Sequence, residues 1–326
     1  QLDLRQWLWG ARFLVECMPG RTRANAKRIL ELAIASRRAL AVLRGELRLA
    51  YHHESRGILS IYTEPGAYEQ ALKRLRLLGE SVRREIKTPA ECVTLEPALA
   101  EAAQRLAGGI YAPDDESGDA QQFTQQLAQH CARRGVQFLF DREVRRFVIE
   151  RDRVIAVEAT SAQHDLERIV ADAYVVALGS WSTLVLAAAG ISLPVYPVKG
   201  YSVTIPVGPR DRAPHVSITD EERKLVFSRL GDRLRVAGMA ELTGYDEHVD
   251  MARCEAMLDR AYELFPRAGS RDAAQCWAGL RPATPGNVPC IGGTRYANLY
   301  LNTGHGTLGW TLACGSGRLI AERMTA

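Results

Sequence analysis

Gly304-His305-Gly306-Thr307-Leu308-Gly309 matches G-x-G-x-x-G, between the strand-like run 298–302 and the helical run that follows. A dinucleotide fingerprint also needs a second strand past that helix, with an acidic residue about 20 positions on. The sequence stops before one could form, so the motif is not read as that fingerprint. Its local physics remains. Glycines let a planar ligand approach the backbone, and a helix N-terminus offers unpaired N–H groups with partial positive charge. That end suits an anion or an electron-rich carbonyl, although a plain strand-to-helix turn would read the same way. Arg281, in Trp277-Ala278-Gly279-Leu280-Arg281-Pro282-Ala283-Thr284-Pro285, is pinned between a strand and a proline, which suits bidentate capture of a carboxylate. A surface ion pair is the alternative there. Two further groups leave or interrupt strand-like runs: Ala177-Leu178-Gly179-Ser180-Trp181-Ser182, and Lys199-Gly200-Tyr201, whose glycine allows close approach. No H-x-x-x-H pair and no G-x-S-x-G occur, and Asp114-Asp115-Glu116 reads as a solvated loop rather than a metal site.

The elements that must position these residues follow from periodicity. Leu4, Trp7, Leu8, Ala11, Leu14, Val15 and Met18 repeat at helical spacing, Pro19-Gly20 interrupts the pattern, and a second helical run covers 24–43. A strand is predicted over 57–62, then a helix ending near Gly79. A helix opens at Asp119 and closes at Gly135. Short strands are predicted at 136–140, 144–149 and 154–159. The continuous apolar run Tyr174-Val175-Val176-Ala177-Leu178 predicts a strand buried on both faces in a parallel or mixed sheet, leading into a helix over 181–189. Alternation between 199 and 240 predicts a largely antiparallel sheet. A helix over 251–265, strands at 275–280 and 299–301, and a helix over 309–323 complete the pattern.

The chain has 326 residues, enough for about two domains. With 47% hydrophobic and 25% charged residues it is an ordinary globular composition, which excludes long disordered tracts. No apolar run reaches membrane-spanning length, and residues 1–12 lack the layout of a secretory signal. A net charge of +4 is too weak to imply nucleic acid. Residues 1–56 differ, with eleven Lys/Arg against five Asp/Glu and with Trp7, Trp9 and Phe13 interleaved. Such a face suits an anionic membrane surface, or simply a solvated helical face around a buried stripe. The seven cysteines are scattered with no C-x-x-C, which fits buried thiols in a reducing cytosol.

Several segments, in this order, resemble the FAD-dependent D-amino-acid oxidase superfamily, and within it most of all the bacterial D-amino-acid dehydrogenases. They are Thr94-Leu95-Glu96-Pro97-Ala98-Leu99, Asp115-Glu116-Ser117-Gly118-Asp119, Val195-Tyr196-Pro197-Val198-Lys199-Gly200-Tyr201-Ser202, Val236-Ala237-Gly238-Met239-Ala240-Glu241, Gly279-Leu280-Arg281-Pro282, and the run from Leu301 to Thr311. The resemblance departs in two places: nothing like the family's opening βαβ unit with G-x-G-x-x-G is seen, and Pro285-Gly286-Asn287 lacks the acidic residue that commonly follows the second proline.

The resemblance implies FAD as cofactor and a D-amino acid as substrate, oxidised to a 2-oxo acid and ammonia, with electrons passed to a quinone or another carrier. It implies that Arg281 binds the substrate carboxylate and that the backbone of Gly304, His305, Gly306, Thr307, Leu308 and Gly309 meets the flavin. Ala177, Gly179 and Trp181 match the turn near the cofactor, Val144 matches a position whose backbone reaches adenine, and Tyr201 is assigned to the substrate side. The expected fold is mixed α/β (α+β): an incomplete FAD/NAD(P)-binding Rossmann-like domain interleaved with an antiparallel-sheet substrate domain. Residues 1–135 are expected to be mainly substrate domain with a helical start, 136–192 part of the FAD domain, 193–275 the substrate sheet and 276–326 the end of the FAD domain. The expected location is cytoplasmic, with peripheral contact at the inner membrane. Glycine, D-proline or opines as substrates, or a truncated chain unable to hold FAD, are the alternatives.

Overall fold

The computed structural model describes residues 3–78 and 83–325. Two helices come first, α1 (Leu4–Glu16) and α2 (Pro19–Leu47). Pro19 and Gly20 open α2 rather than forming a loop, because a proline lacks only an N–H that the first helical turn would leave unpaired. The break predicted there falls one step earlier, at Cys17 and Met18. The chain continues through β1 (Ile58–Tyr62), α3 (Pro65–Leu78), β2 (Glu85–Lys87), α4 (Pro89–Leu95) and β3 (Gly108–Ala112). Gly79, where the sequence placed the end of the α3 helix, lies outside the described residues. Next come α5 (Ala120–Arg133), β4 (Arg142–Glu150), β5 (Arg153–Ser161), β6 (Leu166–Ile169), β7 (Tyr174–Val176) and α6 (Ser182–Ala188). The remainder is β8 (Tyr196–Pro206), β9 (Ser217–Asp220), β10 (Leu225–Leu230), β11 (Arg233–Glu241), α7 (Met251–Leu264), β12 (Gln275–Ala283), β13 (Cys290–Gly293), β14 (Leu299–Thr303) and α8 (Gly309–Thr325).

Helix starts are set by side chains that accept the orphan N–H groups. Asp119 accepts from the amides of Gln121 and Gln122 ahead of α5, Asp250 accepts from Ala252 ahead of α7, and Thr88 with Glu91 forms a capping box on α4.

Three sheets result. The largest has eight strands in the order β12-β8-β11-β10-β9-β1-β3-β2. Its pairing is antiparallel except between β1 and β9. Because β12 pairs with β8 along its whole length, this sheet continues past residue 275. Alternation puts Tyr201, Val203 and Ile205 of β8 on one face, where they join Phe227, Leu234, Met257, Leu258 and Phe265 in the main core beneath α7. The opposite face carries Gly200, Gly279 and Arg281.

The second sheet, β13-β14-β7, is mixed: β14 runs parallel to β7 and antiparallel to β13. Tyr174 and Val176 are buried with Leu186 and Leu299. Val175 between them is 40% exposed, so this strand is covered on one face and open on the other, unlike the doubly buried strand expected. The third sheet, β4-β5-β6, is an antiparallel unit. The strand predicted over 136–140 does not form. That segment pairs with no ladder, and Phe140 is 72% exposed. Its apolar residues carry strand propensity, but propensity without a partner strand makes no sheet.

One buried ion pair supports the main core. Arg260 of α7 donates from Nε to Asp220 at 2.6 Å, and Asp220 also accepts from the amides of Glu222 and Arg223. Replacing Asp220 by Ala leaves the buried guanidinium with only the half-exposed Glu263 as partner, so Asp220→Ala is expected to lower unfolding free energy by about 3 kcal/mol. Urea denaturation checks this, and removing an exposed pair such as Arg318–Glu322 should move the midpoint little.

Candidate active site

The site grows from two glycines. Gly279 on β12 and Gly200 on β8 lie directly opposite each other in register, and both face away from the main core. With no Cβ on either, the sheet has a bare floor at this point. Arg281 lays its side chain across it: a Cβ added to Gly200 would sit 1.8 Å from Arg281 Nη1. Trp277 leans in from the other end of β12, and a Cβ added to Gly279 would sit 2.2 Å from the indole.

The guanidinium thus crosses β8 and reaches β11. There a bulge between Gly238 and Glu241, with Met239 at φ +58°, turns two carbonyls toward it. Arg281 donates from Nη1 to Met239 O at 2.8 Å and from Nη2 to Gly238 O at 3.2 Å. These neutral acceptors fix its orientation without cancelling its charge. Burial is the one influence on its acidity, lowering its pKa, and no carboxylate counters it among the described residues. A desolvated cation held this way favours an incoming carboxylate.

Beyond Arg281, the end of β12 ties the large sheet to both glycine turns. Ser180 Oγ donates to Leu280 O at 3.3 Å, and Pro282 packs beside Gly179, which sits at φ +55°. Ala283 forms a bridge with His305. Thr303 Oγ1 donates to Gly179 O at 3.0 Å and lies 2.9 Å from Ser182 Oγ, so the Gly179 turn and the Gly304 loop are clamped together. The structure therefore brings Gly179, Arg281 and the 304–309 loop to one place. Ala177 and Trp181 are exposed beside it.

The loop has local features that suit a planar, electron-rich ring. Gly304 and Gly306 adopt φ of +81° and +53°. A Cβ at Gly304 would press on Thr284 at 2.9 Å. Gly306–Leu308 form a short helical turn with no side-chain cap on their N–H groups, and α8 starts directly after it. Ala177, Leu178 and Trp181 are exposed in the turn that Thr303 clamps to the loop. These residues fit the ring end of FAD: N–H donors toward electron-rich carbonyls, and apolar walls for the ring.

Two expected residues lie apart from this place; for Tyr201 that is a correction, whereas Val144 is matched to the adenine end of the cofactor and not to its ring. Tyr201 is not on the substrate side. Strand alternation turns it to the core face, opposite Gly200 and Arg281, where it is 1% exposed and donates to Glu241 Oε2 at 2.7 Å. Glu241 also pairs with Arg253, and neighbouring Lys199 pairs with Asp246 at 2.8 Å, so this is a structural charge cluster. Val144 sits on β4 of the separate three-stranded sheet, at a bulge, and is not brought to Arg281 or the 304–309 loop.

Residues to which the sequence reading gave no site role complete the site: Gly279 as the second half of the floor, Met239 as acceptor for Arg281, Thr303 as the clamp, and Trp9. Trp9 Nε1 donates to Ala283 O at 2.9 Å across most of the chain's length. Only the paired glycines left a trace, as small residues set at like intervals from the strand ends.

His305 Nε2 lies 2.9 Å from Ser316 Oγ, and burial lowers the pKa of the ring. A histidine whose folded pKa is depressed binds fewer protons folded than unfolded, so stability rises with pH up to the unfolded value of about 6.5 and is lost as pH falls below it. The urea midpoint of the wild type is expected to drop between pH 7.5 and 5.5 by more than that of His305→Gln. Equal drops contradict this.

Known proteins resemble this chain over most of its length. Residues 11–323 match the family described as DAO: FAD dependent oxidoreductase. The chain is 49% identical to a D-amino acid dehydrogenase of Dechloromonas aromatica, covering 99% of this chain and 78% of the relative. It is 47% identical to one of Paramagnetospirillum magneticum, covering 98% and 75%. Among solved structures it is similar to glycine oxidase from Bacillus cereus, with a TM-score of 0.78, 24% identity, and coverage of 92% of this chain and 80% of that one. L-proline dehydrogenase from P. horikoshii has a TM-score of 0.77 at 19% identity, with 90% and 78% covered.

Proposed function

Because the chain belongs to the DAO family of FAD-dependent oxidoreductases, we propose that it oxidatively deaminates D-amino acids, with Arg281 holding the substrate carboxylate. The observation that carries this reading is the guanidinium over the Gly200–Gly279 floor, beside the 304–309 loop, which has no carboxylate partner among the described residues. Identity of 47–49% to D-amino acid dehydrogenases, against 24% to a glycine oxidase, favours a D-amino acid over glycine.

Bound FAD would supply the acceptor for the substrate α-hydrogen and its electron pair. This chain's residues orient the reactants. Arg281 anchors the carboxylate and thereby fixes the Cα, while the bulge carbonyls keep the guanidinium from swinging. Gly304–Gly309 would hold the flavin ring, and the uncapped turn with the start of α8 would favour negative charge there. Gly179 and Trp181 line the cofactor side. The amino group loses a proton to leave an imino acid. Water then adds and ammonia leaves, giving the 2-oxo acid.

Arg281→Ala is expected to raise KM for D-alanine at least tenfold and also to lower kcat, since an unanchored Cα is misaligned. Gly200→Ala should do the same by displacing the guanidinium, with little change in the far-UV circular dichroism. Steady-state kinetics check both, and an unchanged kcat/KM in Arg281→Ala removes the assignment.

The electron acceptor in this reading is a membrane quinone, and the protein works on the cytoplasmic face of the membrane. No described helix is long and apolar enough to cross a bilayer. What supports peripheral contact is α1, which has no buried residue and leaves Leu4, Trp7 and Leu14 66–71% exposed, ahead of the Arg-rich start of α2. Co-sedimentation with phosphatidylglycerol vesicles is expected at low salt, and to fall as salt rises. Absence of binding at low salt contradicts the membrane reading.

A further inference from the structure

Trp277 lies on β12, the edge strand of the large sheet, and is 60% exposed. It shares the strand face of Gly279 and Arg281, because alternate residues of a strand point the same way. The six-membered ring of its indole lies over Gly279, while the Arg281 guanidinium lies over Gly200. Those two glycines are directly opposite in the ladder. Cβ atoms at such a pair would stand about 4.5–5.5 Å apart. Indole and guanidinium therefore sit side by side on one bare floor, and the indole keeps most of its surface open.

The row of the sheet that starts at Trp277 carries no charge. Trp277 is opposite Ser202 on β8, Ser202 is opposite Ala237 on β11, and Ala237 is opposite Val226 on β10. Val226 is itself 39% exposed, so the apolar surface continues past the indole. Charge returns one row farther, at Arg235 opposite Thr204. Two residues of strand separate these rows, a step of about 7 Å. A group resting on the Trp277 row thus lies on uncharged surface, with Arg281 on one side and Arg235 on the other.

We propose that Trp277 receives the substrate side chain and selects D-amino acids whose side chains are bulky and apolar or aromatic. The inference rests on the oxidative deamination proposed above and adds the residue that reads the side chain. A carboxylate on Arg281 fixes the carbon next to it, and the side chain leaves from that same carbon. The 304–309 loop meets β12 at Ala283, through His305, whereas Trp277 stands toward the opposite end of the strand. A substrate whose α-hydrogen faces the loop has its side chain free to fall toward the indole. An aromatic or branched side chain gains buried area and offset stacking there. A cationic side chain also suits an indole face, but here it would lie between the charges of Arg281 and Arg235. A short acidic side chain would set its charge down on the uncharged row.

Steady-state turnover of D-phenylalanine and D-alanine with phenazine methosulfate as acceptor tests the role. Trp277→Thr, which keeps a strand-favouring residue, is expected to lower kcat/KM at least about tenfold for D-phenylalanine and less than about threefold for D-alanine. Trp277→Phe, which keeps a ring over Gly279, should recover most of the loss. An aromatic ring laid over a strand glycine also shields the strand, and that role alone would cost both substrates equally. Equal losses therefore overturn the proposal. Hydroxyl-radical footprinting of the wild-type, FAD-bound protein needs no variant. There 3-phenylpropionate, the D-phenylalanine skeleton without its amino group, should protect Trp277 several-fold and leave Trp7, 66% exposed on α1, unprotected. Absence of that protection overturns the proposal as well. Absence of D-alanine turnover in the wild type would instead defeat the deamination reading, and the footprint would still judge Trp277.

Discussion

Arg281 reaches across a neighbouring strand to bond carbonyls on the strand beyond, and most of what surrounds the site follows from that reach. The path exists only because Gly200 has no side chain under the guanidinium. Its endpoint exists only because the bulge in β11 breaks the ladder and turns Met239 O and Gly238 O outward. In an unbroken ladder those carbonyls would pair with β8, and the arginine would lack its partners. Backbone carbonyls orient a cation without neutralising it, so the cost of burying the charge is left for a ligand to offset.

The same strand carries the mechanical connection between sheets. From Leu280 to Ala283, β12 contacts Ser180, Gly179, His305 and Trp9 in succession. Arg281, the 304–309 loop and the turn after β7 are therefore referenced to four consecutive residues. Thr303 and Ser182 close the loop of contacts from the other side, with a buried hydroxyl pair that leaves little play. A reaction that depends on alignment of a substrate Cα with a ring needs such a short chain of references.

Much of this arrangement could be read from residue types. Elements with a full face to bury declared themselves: α5, α7, α8, and the strands of the large sheet from β8 to β11 all follow their periodicity. Arg281 and the 304–309 loop were identifiable because a proline, a strand end and three glycines constrain what their backbones can do. The errors have physical causes. The segment at 136–140 has apolar, strand-favouring residues but no partner, and pairing is not a local property. Tyr201 sits beside Gly200 in sequence, yet a period of two sends adjacent residues to opposite faces, and a one-residue step is the difference between the core and the site. Contacts such as Trp9 with Ala283 join residues far apart in the chain and leave no local signal.

The central claim is that the Arg281 guanidinium is an unneutralised, pre-aimed carboxylate receptor. Calorimetric titration with benzoate, a carboxylate that cannot be oxidised, tests it most directly because it reads occupancy alone. One-to-one binding that disappears in Arg281→Met, in a variant with unchanged thermal unfolding, is the predicted result. Benzoate bound as tightly by Arg281→Met as by the wild type would contradict the account.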